Sequence, residues 1–243
     1  MKCFILPDWP EIPSISALST TRLGGVSRGA YDSFNLAQHV GDCHEAVIRN
    51  RSLLEEKAKL PVAPRWLKQV HGTRLVDAAS SPSGNEADGC YSRERSVVCV
   101  VMTADCLPVL IADKKGEYVA AVHAGWRGLC DGIIEKAIIE SNLPPERLQV
   151  WLGPAIGSAA FEVGEEVRSA FIERYVEAAG AFKVGLPGKW LADIYLLARI
   201  ALQQVGVTNS YGGQFCTYSD AARFYSYRRD GVTGRMASLI WLK

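Results

Sequence analysis

The chain has 243 residues, 48% of them hydrophobic, so it can bury a sizeable core, and its length suits either one large domain or two. Lysine and arginine total 27 against 26 aspartates and glutamates, which excludes an overall field that would draw the protein to nucleic acid or to an anionic membrane. Small molecules are therefore the expected partners. Because no repeat, low-complexity tract or long linker divides the chain, we predict a single domain over residues 1–243.

The cysteines and the N-terminal segment indicate the compartment. Seven cysteines at irregular spacing argue against a disulfide framework and predict a reducing environment. The apolar stretch of MKCFILPDWPEIP is too short for the core of a signal peptide, and no later run has the length of a membrane span. We expect a cytoplasmic protein whose oligomeric state the sequence leaves open.

The N-terminal third predicts short strands, turns and one helix. A strand is expected around Ile15–Thr21, followed by a glycine turn in RLGGVSRG and a helix from about His44 to Lys59. The segment RWLKQVHGTRLVDA then alternates like two short strands that meet at His71-Gly72. The polar segment 80–89 is interpreted as a surface loop.

The middle of the chain predicts a buried strand and a hairpin. SVVCVVM, residues 96–102, is a continuous apolar run, typical of a strand buried on both faces. LPVLIAD and EYVAAVH follow as two further strands, separated by a plausible turn at Lys114-Lys115-Gly116.

Helices and strands intermix in the rest of the chain. AGWRG leads into a single predicted helix that ends near Asn142, and LQVWLG predicts the next strand. Two helices are expected over 164–175 and 191–206, and strands around Phe224–Arg228 and Arg235–Trp241. The pattern predicts an α+β (mixed α/β) layered fold with mixed sheets, in which the antiparallel hairpins exclude a purely parallel sheet.

The predicted hairpin brings together a cysteine and a histidine from MTADCLPVL and AAVHAGWRG. If it turns on Lys114-Lys115, opposed residues have numbers that sum to 229, and Cys106 then lies opposite His123. Directly opposed β-carbons are roughly 4.5–5.5 Å apart, close enough for the two side chains to share one metal ion. A slip of one residue would send them to opposite faces of the sheet.

Three interpretations of this pair compete. With His71 as a third ligand, one thiolate and two imidazoles suit Zn²⁺ in a site that keeps an open fourth position. Alternatively, Cys106 is a nucleophile with His123 as its base and Asp105 or another carboxylate as the orienting group. The third interpretation is plain packing, with a buried thiol and a histidine at a strand end.

Arginines beside predicted strand ends add candidates for binding an anion. Arg22, Arg127 and Arg228 hold guanidinium groups that suit phosphate or carboxylate, although each alone is typical of a solvated surface charge. The GGVS turn could also cradle an anion, but it lacks the lysine of a P-loop and a dinucleotide fingerprint.

A set of short motifs spread along the chain resembles the bacterial YfiH family. The resemblance runs from about Pro7 to Trp241 and is carried, in order, by TTRLGGVS, NLAQHVGD, LKQVHG, ADGCYS, MTADCLPVL, VHAGWRG, LGPAIG, FEVG and FYSYRRD. That family is variously labelled multicopper polyphenol oxidase (laccase-like), purine nucleoside phosphorylase and peptidoglycan editing factor. Its fold is similar to the layered sandwich of putative cysteine hydrolases.

The resemblance implies a metal site, a reaction and a set of residues. It implies zinc, or copper, held by His71 of QVHG, Cys106 of TADC and His123 of VHAGWRG. It also implies phosphorolysis of adenosine, inosine and methylthioadenosine, with adenosine deamination as a second activity. On this hypothesis the candidates for catalysis are Asp105, Cys106 and Arg127, with Asp105 either transferring a proton or orienting a ligand histidine. Those for substrate or phosphate binding are Arg22, Asn35 and Arg228.

Composition limits the other activities that the family labels suggest. A multicopper oxidase needs a trinuclear cluster built almost wholly from imidazoles, which four histidines cannot supply, so only a single copper site and weak polyphenol oxidase activity remain open. A cysteine-dependent amidase that edits peptidoglycan precursors is the main alternative to the nucleoside enzyme. A nucleotide-sensing module without catalysis is the third hypothesis.

Overall fold

The computed structural model, which describes residues 3–243, contains two large β-sheets that pack face to face between helical layers. The strands are β1 (Phe4–Ile5), β2 (Ile15–Thr20), β3 (Leu75–Asp77), β4 (Gly89–Ser92), β5 (Cys99–Thr103), β6 (Leu107–Asp113), β7 (Val119–Ala124), β8 (Leu148–Leu152), β9 (Glu162–Gly164), β10 (Phe182–Val184), β11 (Lys189–Ala192), β12 (Ser210–Gly212) and β13 (Met236–Leu242). The α-helices are α1 (His44–Ala58), α2 (Trp126–Cys130), α3 (Ile133–Ser141), α4 (Glu165–Arg174), α5 (Ile194–Gln204) and α6 (Tyr227–Asp230). Short 3-10 helices cover Gly29–Tyr31, Pro145–Arg147 and Val176–Ala181. Within residues 3–243, no helix combines the length and the apolar character that crossing a bilayer requires.

The sheets mix parallel and antiparallel pairing as the sequence predicts. One sheet has four antiparallel strands in the order β1-β2-β13-β5. The other has six strands in the order β12-β8-β6-β7-β4-β3, antiparallel in its centre and parallel in the outer pairs β12/β8 and β3/β4. A small antiparallel sheet, β10-β11-β9, lies apart from both. The mixed α/β class with antiparallel hairpins is therefore confirmed.

Apolar side chains fill three spaces and fix the layers. Between the sheets, Leu110 of β6 and Val101 of β5 belong to one buried cluster. The opposite face of the six-stranded sheet packs on the helices, with Val109 of β6 in the same cluster as residues of α3 and α5. The outer face of the four-stranded sheet is covered by α1, where Val100 shares a cluster with Leu54. The molecule is thus a helix–sheet–sheet–helix sandwich; its description as a single domain stays a prediction.

Two predicted elements near the C-terminal half are wrong. The strand expected around Phe224–Arg228 is instead an irregular segment followed by α6, because the side chain of Ser226 caps that helix by accepting a hydrogen bond from the amide of Arg229 at 3.2 Å. The single helix expected after AGWRG is broken into α2 and α3. Gly132, with a φ of 92°, supplies the left-handed residue at the break.

The predicted register of the β6–β7 hairpin is also wrong, by two residues. Leu107 pairs with Ala124 and Pro108 with His123, so opposed residues sum to 231 rather than 229. The loop is longer than predicted: residues 114–117 separate Asp113 from Tyr118, whose carbonyl accepts the amide of Asp113 at 2.9 Å, and the amide of Glu117 donates to the Asp113 carboxylate at 3.0 Å. Since side chains alternate with a period of two, a shift of two keeps each residue on its predicted face.

Candidate metal and active site

The chain crosses from one large sheet to the other immediately before the candidate cysteine. Strand β5 ends at Thr103 in the four-stranded sheet, and β6 begins at Leu107 in the six-stranded sheet. Asp105 takes a φ of 90° in this short crossover. A non-glycine residue in the left-handed region costs free energy and is held there only by its surroundings. The crossover places Cys106 at the end of the sandwich, on the same face as His123.

Two imidazoles meet the Cys106 sulfur. His123 lies near the end of β7 and is buried, while His71 lies in the turn before β3 with a φ of 63°. The ring centroids of the two histidines are 4.8 Å apart, with an interplanar angle of 76°. Nε2 of His71 is 3.8 Å from the sulfur of Cys106, and the three ligand atoms all lie within 4.8 Å of one another. The structure thus brings together the three residues that the sequence proposes as ligands.

The segment that should form a strand before His71 is mostly irregular. Residues 65–70 make only isolated bridges, Arg65 to Cys99 and Lys68 to Glu86, and the regular strand β3 starts at Leu75. The turn at His71-Gly72 is as predicted. It is held from within the protein, because a carboxylate accepts the amides of Val70, His71 and Gly72 at 3.2, 2.9 and 2.7 Å.

That carboxylate is Asp88, which the sequence analysis missed. It is fully buried, and its Oδ1 is 2.8 Å from Nδ1 of His123. Burial alone would raise the pKa of Asp88, but the hydrogen bonds from His123 and from the His71-Gly72 backbone lower it. Asp88 therefore positions two of the three ligands at once and leaves Nε2 of His123 free to face the sulfur. Of the candidates for the orienting group, Asp105 or another carboxylate, the one that bonds His123 is therefore another carboxylate, Asp88, while Asp105 bonds Thr217 and Arg228.

The cysteine and the buried histidine form an ion pair in the metal-free protein. Burial on its own would raise the pKa of the Cys106 thiol, but the neighbouring His123 and His71 lower it to about 6. Burial would lower the pKa of His123, yet the Cys106 thiolate and the Asp88 carboxylate raise it to about 9. At neutral pH the site holds a thiolate, which is the form that binds metals and attacks electrophiles.

The donor set and its spacing fit a transition-metal ion. Neighbouring ligand atoms of a tetrahedral zinc site are about 3.3–3.6 Å apart, so shifts of ~1 Å or less would bring these three donors into place. Two imidazoles and one thiolate also match the ligands of a single copper site. Gly125 keeps the space open, because a β-carbon there would lie 2.9 Å from Cδ2 of His71 and 3.3 Å from the sulfur of Cys106. The residues therefore fit a metal, whose identity this geometry leaves open.

Two cavities flank the three donors, and Tyr227 lines both of them. The first, here called the basic cavity, is about 400 Å³ in volume and is lined by His39, Gln69, His71, Met102, Thr103, Ala104, Cys106, His123, Tyr227 and Arg235. The second, the aromatic cavity, is about 200 Å³ and is lined by His71, Ala104, Asp105, Cys106, Trp126, Arg127, Ile156, Phe161, Ile194, Tyr227 and Arg228. A substrate that enters either cavity would reach His71 and Cys106, which line both.

Three further candidates lie at the aromatic cavity. Arg127 is exposed, with its guanidinium 4.5 Å from the centre of the Trp126 ring. Arg228 donates from Nη1 to the carbonyl of Glu162 at 2.8 Å. Each oxygen of Asp105 already accepts a hydrogen bond, one from the Thr217 hydroxyl and one from the amide of Arg228, both at 2.6 Å. The bond from Arg228 ties the Asp105 crossover to α6, while the catalytic roles of Asp105 and Arg127 and the binding role of Arg228 stay predictions.

Arg22 and Asn35 line neither cavity. Arg22 donates to the carbonyls of Asp32 and Ala221 at 2.8 and 3.2 Å, and its guanidinium lies over a tyrosine ring. Asn35 is fully buried, and its amide oxygen accepts from the amides of Ala37 and Arg235. These bonds hold the surrounding loops together, and Asn35 also donates to the carboxylate of Asp42 at 2.9 Å, while a role of either residue in substrate binding stays a prediction.

Comparison with known proteins gives this arrangement a family. A family model described as multi-copper polyphenol oxidoreductase laccase matches residues 16–243. The chain belongs to the YfiH family. Among its relatives, the Pseudomonas aeruginosa protein named purine nucleoside phosphorylase is 51% identical, and purine nucleoside phosphorylase YfiH of Escherichia coli K12 is 49% identical, each over 100% of both chains.

Solved structures of YfiH-family proteins share the fold over the whole chain. The crystal structure of a Neisseria meningitidis protein is similar with a TM-score of 0.96 and 50% identity, covering 100% of both chains. That of YlmD from Geobacillus stearothermophilus has a TM-score of 0.93 at 29% identity, covering 100% of this chain and 97% of the other. The layered sandwich is therefore common to members of this family that differ widely in sequence.

Proposed function

We propose that this protein is a metal-dependent purine nucleoside phosphorylase that acts on adenosine, inosine and methylthioadenosine and also deaminates adenosine. The observation that carries the proposal is the convergence of His71, Cys106 and His123 at the junction of two cavities. Two relatives that are 51% and 49% identical to this chain are named purine nucleoside phosphorylase, and these names support the same class of reaction here. A cavity of a few hundred cubic ångströms suits a small-molecule substrate, as a nucleoside with phosphate requires.

In phosphorolysis the chain must position two reactants and handle one proton. An oxygen of phosphate forms a bond to C1′ of the ribose, the glycosidic C–N bond breaks, and its electron pair leaves with the purine, which takes up a proton. A bound Zn²⁺ would supply Lewis-acid polarisation and, for deamination, an activated water at neutral pH. The aromatic walls of Trp126 and Phe161 offer a surface for the purine, and Arg127 lies beside them. Asp105, at the floor of the same cavity, is our candidate for proton transfer.

One experiment separates the reactions that this site could perform. Freshly purified protein is analysed for zinc and copper and then incubated with adenosine in the presence and in the absence of phosphate, with chromatographic detection of products. We expect free adenine only with phosphate, together with some inosine. Adenine without phosphate would indicate hydrolysis, and saturable nucleoside binding without turnover would support a sensing module; either result would contradict the proposal.

A cysteine-dependent amidase is the alternative that a specific observation favours. Cys106, His123 and Asp88 stand in the order thiolate, imidazole and carboxylate that activated thiols use. Against it, the same sulfur also faces His71, and an activated thiol needs only one imidazole. Substrate-protected alkylation of Cys106 after chelation, with full activity in the metal-free protein, would establish the amidase. Activity restored only by added Zn²⁺ would exclude it.

The proposal also covers the identity of the metal ion and the location of the protein in the cell. We favour zinc because two imidazoles and one thiolate suit it and leave a fourth position for substrate. A single copper ion at the same ligands could support only weak polyphenol oxidation, since the other two histidines, His39 and His44, cannot complete a trinuclear cluster. A cytoplasmic location and the absence of nucleic-acid and membrane partners are proposed on the charge balance and the irregular cysteines.

A further inference from the structure

The two cavities differ in which cationic side chains line them, which bears on where an anionic reactant binds. The aromatic cavity has Trp126 and Phe161 in its wall, together with Arg127 and Arg228. The basic cavity adds His39 and Arg235 beside the donor group, a name used here for His71, Cys106 and His123. Neither residue is among the anion ligands that the sequence pattern suggests. Any anion that reacts at the donor group needs such a cationic surface within reach.

Arg235 has part of its guanidinium available to a ligand. Its Nη1 donates to the carbonyls of Thr233 and Gly234 at 2.9 and 3.0 Å, which fixes the side chain in place. Among residues 3–243, Nε and Nη2 have no hydrogen-bond partner. Its carbon Cζ is 5.8 Å from the ring centre of Tyr227, one of the four residues that line both cavities. Arg235 therefore offers donors to the cavity from a preorganised position, which suits phosphate.

Burial lowers the pKa of Arg235, and the nearby charges of Cys106 and Asp105 raise it. None of the ion pairs found in the described part of the chain involves Arg235 or the nearby Arg51. Burial, and after it the charges of Arg235 and Arg51, lower the pKa of His39. Arg51 is itself fixed, with Nε donating to the carbonyl of Leu36 at 3.0 Å and the guanidinium 3.9 Å from the Trp66 ring centre. Positive charge that forms no ion pair among the described residues raises the local concentration of anions at a nearby cavity.

We propose that Arg235, assisted by His39, binds phosphate in the basic cavity, so that phosphate and purine reach the donor group from two different cavities. The assignment rests on the proposed phosphorylase function and names the residue that holds its second substrate. It replaces Arg22, which lines neither cavity, and leaves Arg127 and Arg228 to the nucleoside side. The neighbouring charge of Arg51 adds to the attraction without touching the ligand.

Steady-state kinetics test the assignment by separating the two substrates. In Arg235→Met we expect the KM for phosphate to rise about 10-fold or more, because a charge-assisted hydrogen bond is lost, while the KM for adenosine changes little. His39→Gln should raise the phosphate KM less. Arg28→Met, which removes an exposed arginine outside both cavities, is the charge-matched control and should leave it unchanged. An unchanged phosphate KM in Arg235→Met, or a rise in Arg127→Met instead, would overturn the assignment.

A second measurement does not depend on turnover or on the folding of a variant. The wild-type protein is treated with phenylglyoxal, with and without inorganic phosphate, and labelled arginines are located by peptide mass spectrometry. We expect phosphate to protect Arg235 and to leave the labelling of Arg28 unchanged. Protection of Arg235 in a protein that cleaves no nucleoside would refute the phosphorylase and retain the anion site. Phosphorolysis without protection of Arg235 would retain the phosphorylase and refute this site.

Discussion

A fully buried carboxylate lies at each end of the β6–β7 hairpin, but the two carboxylates bond different kinds of partner. At the open end, Asp88 bonds Nδ1 of His123 at 2.8 Å. At the turn end, Asp113 bonds Nε and Nη2 of Arg147 at 2.9 and 2.6 Å, and the same guanidinium also reaches Glu117. The pKa of both aspartates is lowered against the effect of burial by hydrogen bonds from these partners.

The two ends differ in whether the partner of the buried carboxylate has a nitrogen left to bind another group. All the bonds of the Arg147 cluster are directed at the protein, and an arginine stays charged at every physiological pH, so the turn end is fixed. His123 has a second nitrogen that faces Cys106 and His71, and an imidazole, unlike a guanidinium, can give up its proton and bind a metal ion. A buried carboxylate by itself therefore does not indicate a functional site. The indication comes from a partner of the carboxylate that still has an unbonded nitrogen facing a cavity.

Removal of the sulfur should have the largest effect on the open end. Cys106→Ala takes away one of three proposed ligands and leaves two neutral imidazoles, which bind Zn²⁺ far more weakly than the full set. We expect metal content and both nucleoside activities to be lost together, with a folded protein by circular dichroism. Phosphorolysis that persists in a folded, metal-free variant would contradict the mechanism.

Replacement of Asp88 should separate the positioning role from the ligands themselves. Asp88→Asn keeps the size of the side chain, but its amide nitrogen cannot accept the backbone N–H bonds that now hold the His71-Gly72 turn. Metal affinity should fall by roughly 10–100-fold, the usual loss when a group behind a metal ligand is changed. Competition with a chromogenic chelator measures this affinity.

The turn end supplies the matched control for Asp88→Asn. Asp113→Asn should leave metal affinity unchanged and reduce stability at neutral pH. The folded pKa of Asp113 lies below the unfolded value of about 3.9, so its contribution is present above that value and is lost as the pH falls through the folded pKa. Equal losses of metal affinity in both variants would show that the effect is a general loss of stability.

The thiol of the open end should react at unusually low pH once metal is removed. Because His123 and His71 hold the Cys106 pKa at about 6, alkylation by iodoacetamide should rise through that pH and level off near neutrality. The thiols of the unfolded chain should instead titrate around pH 8.5, which provides the internal reference. A single titration near pH 8.5 for Cys106 in the folded, metal-free protein would contradict the ion pair.

The sequence was sufficient to predict that Cys106 and His123 lie close together, but it was not sufficient to predict the register of the β6–β7 hairpin. Alternation of apolar residues along LPVLIAD and EYVAAVH fixes which side chains share a face, and the error of two residues preserved that face. The exact register depends on the turn, where Asp113 accepts an amide from Glu117 at 3.0 Å and lengthens the loop. Composition does not reveal such a bond. His71 was proposed as the third ligand from the chemistry of the donor set, and the family resemblance implied the same residue.

Residues whose role depends on long-range contacts were missed. Asp88 lies in a polar segment that reads as a surface loop, and the only local signal is its place just before the buried strand β4. Arg235 precedes a strand like any solvated arginine, and its available nitrogens become visible only when the cavity is closed by distant elements. Ser226 and Gly132 changed predicted elements through a cap and a left-handed residue, both of which require knowledge of the local backbone.

A substitution that crowds His71, Cys106 and His123 but replaces none of them should have the smallest effect on metal affinity. In Gly125→Ala the added β-carbon would lie 2.9 Å from Cδ2 of His71 and 3.3 Å from the Cys106 sulfur, so His71 must shift by a few tenths of an ångström. We expect metal affinity to weaken by about 3-fold to 10-fold, since ligand geometry is held closely in such sites. Gly180→Ala, where nothing lies within 4 Å of the new β-carbon, is the control and should bind metal like the wild type. Wild-type affinity in Gly125→Ala would mean that His71 has room to move, so that the open end is less tightly built than the turn end.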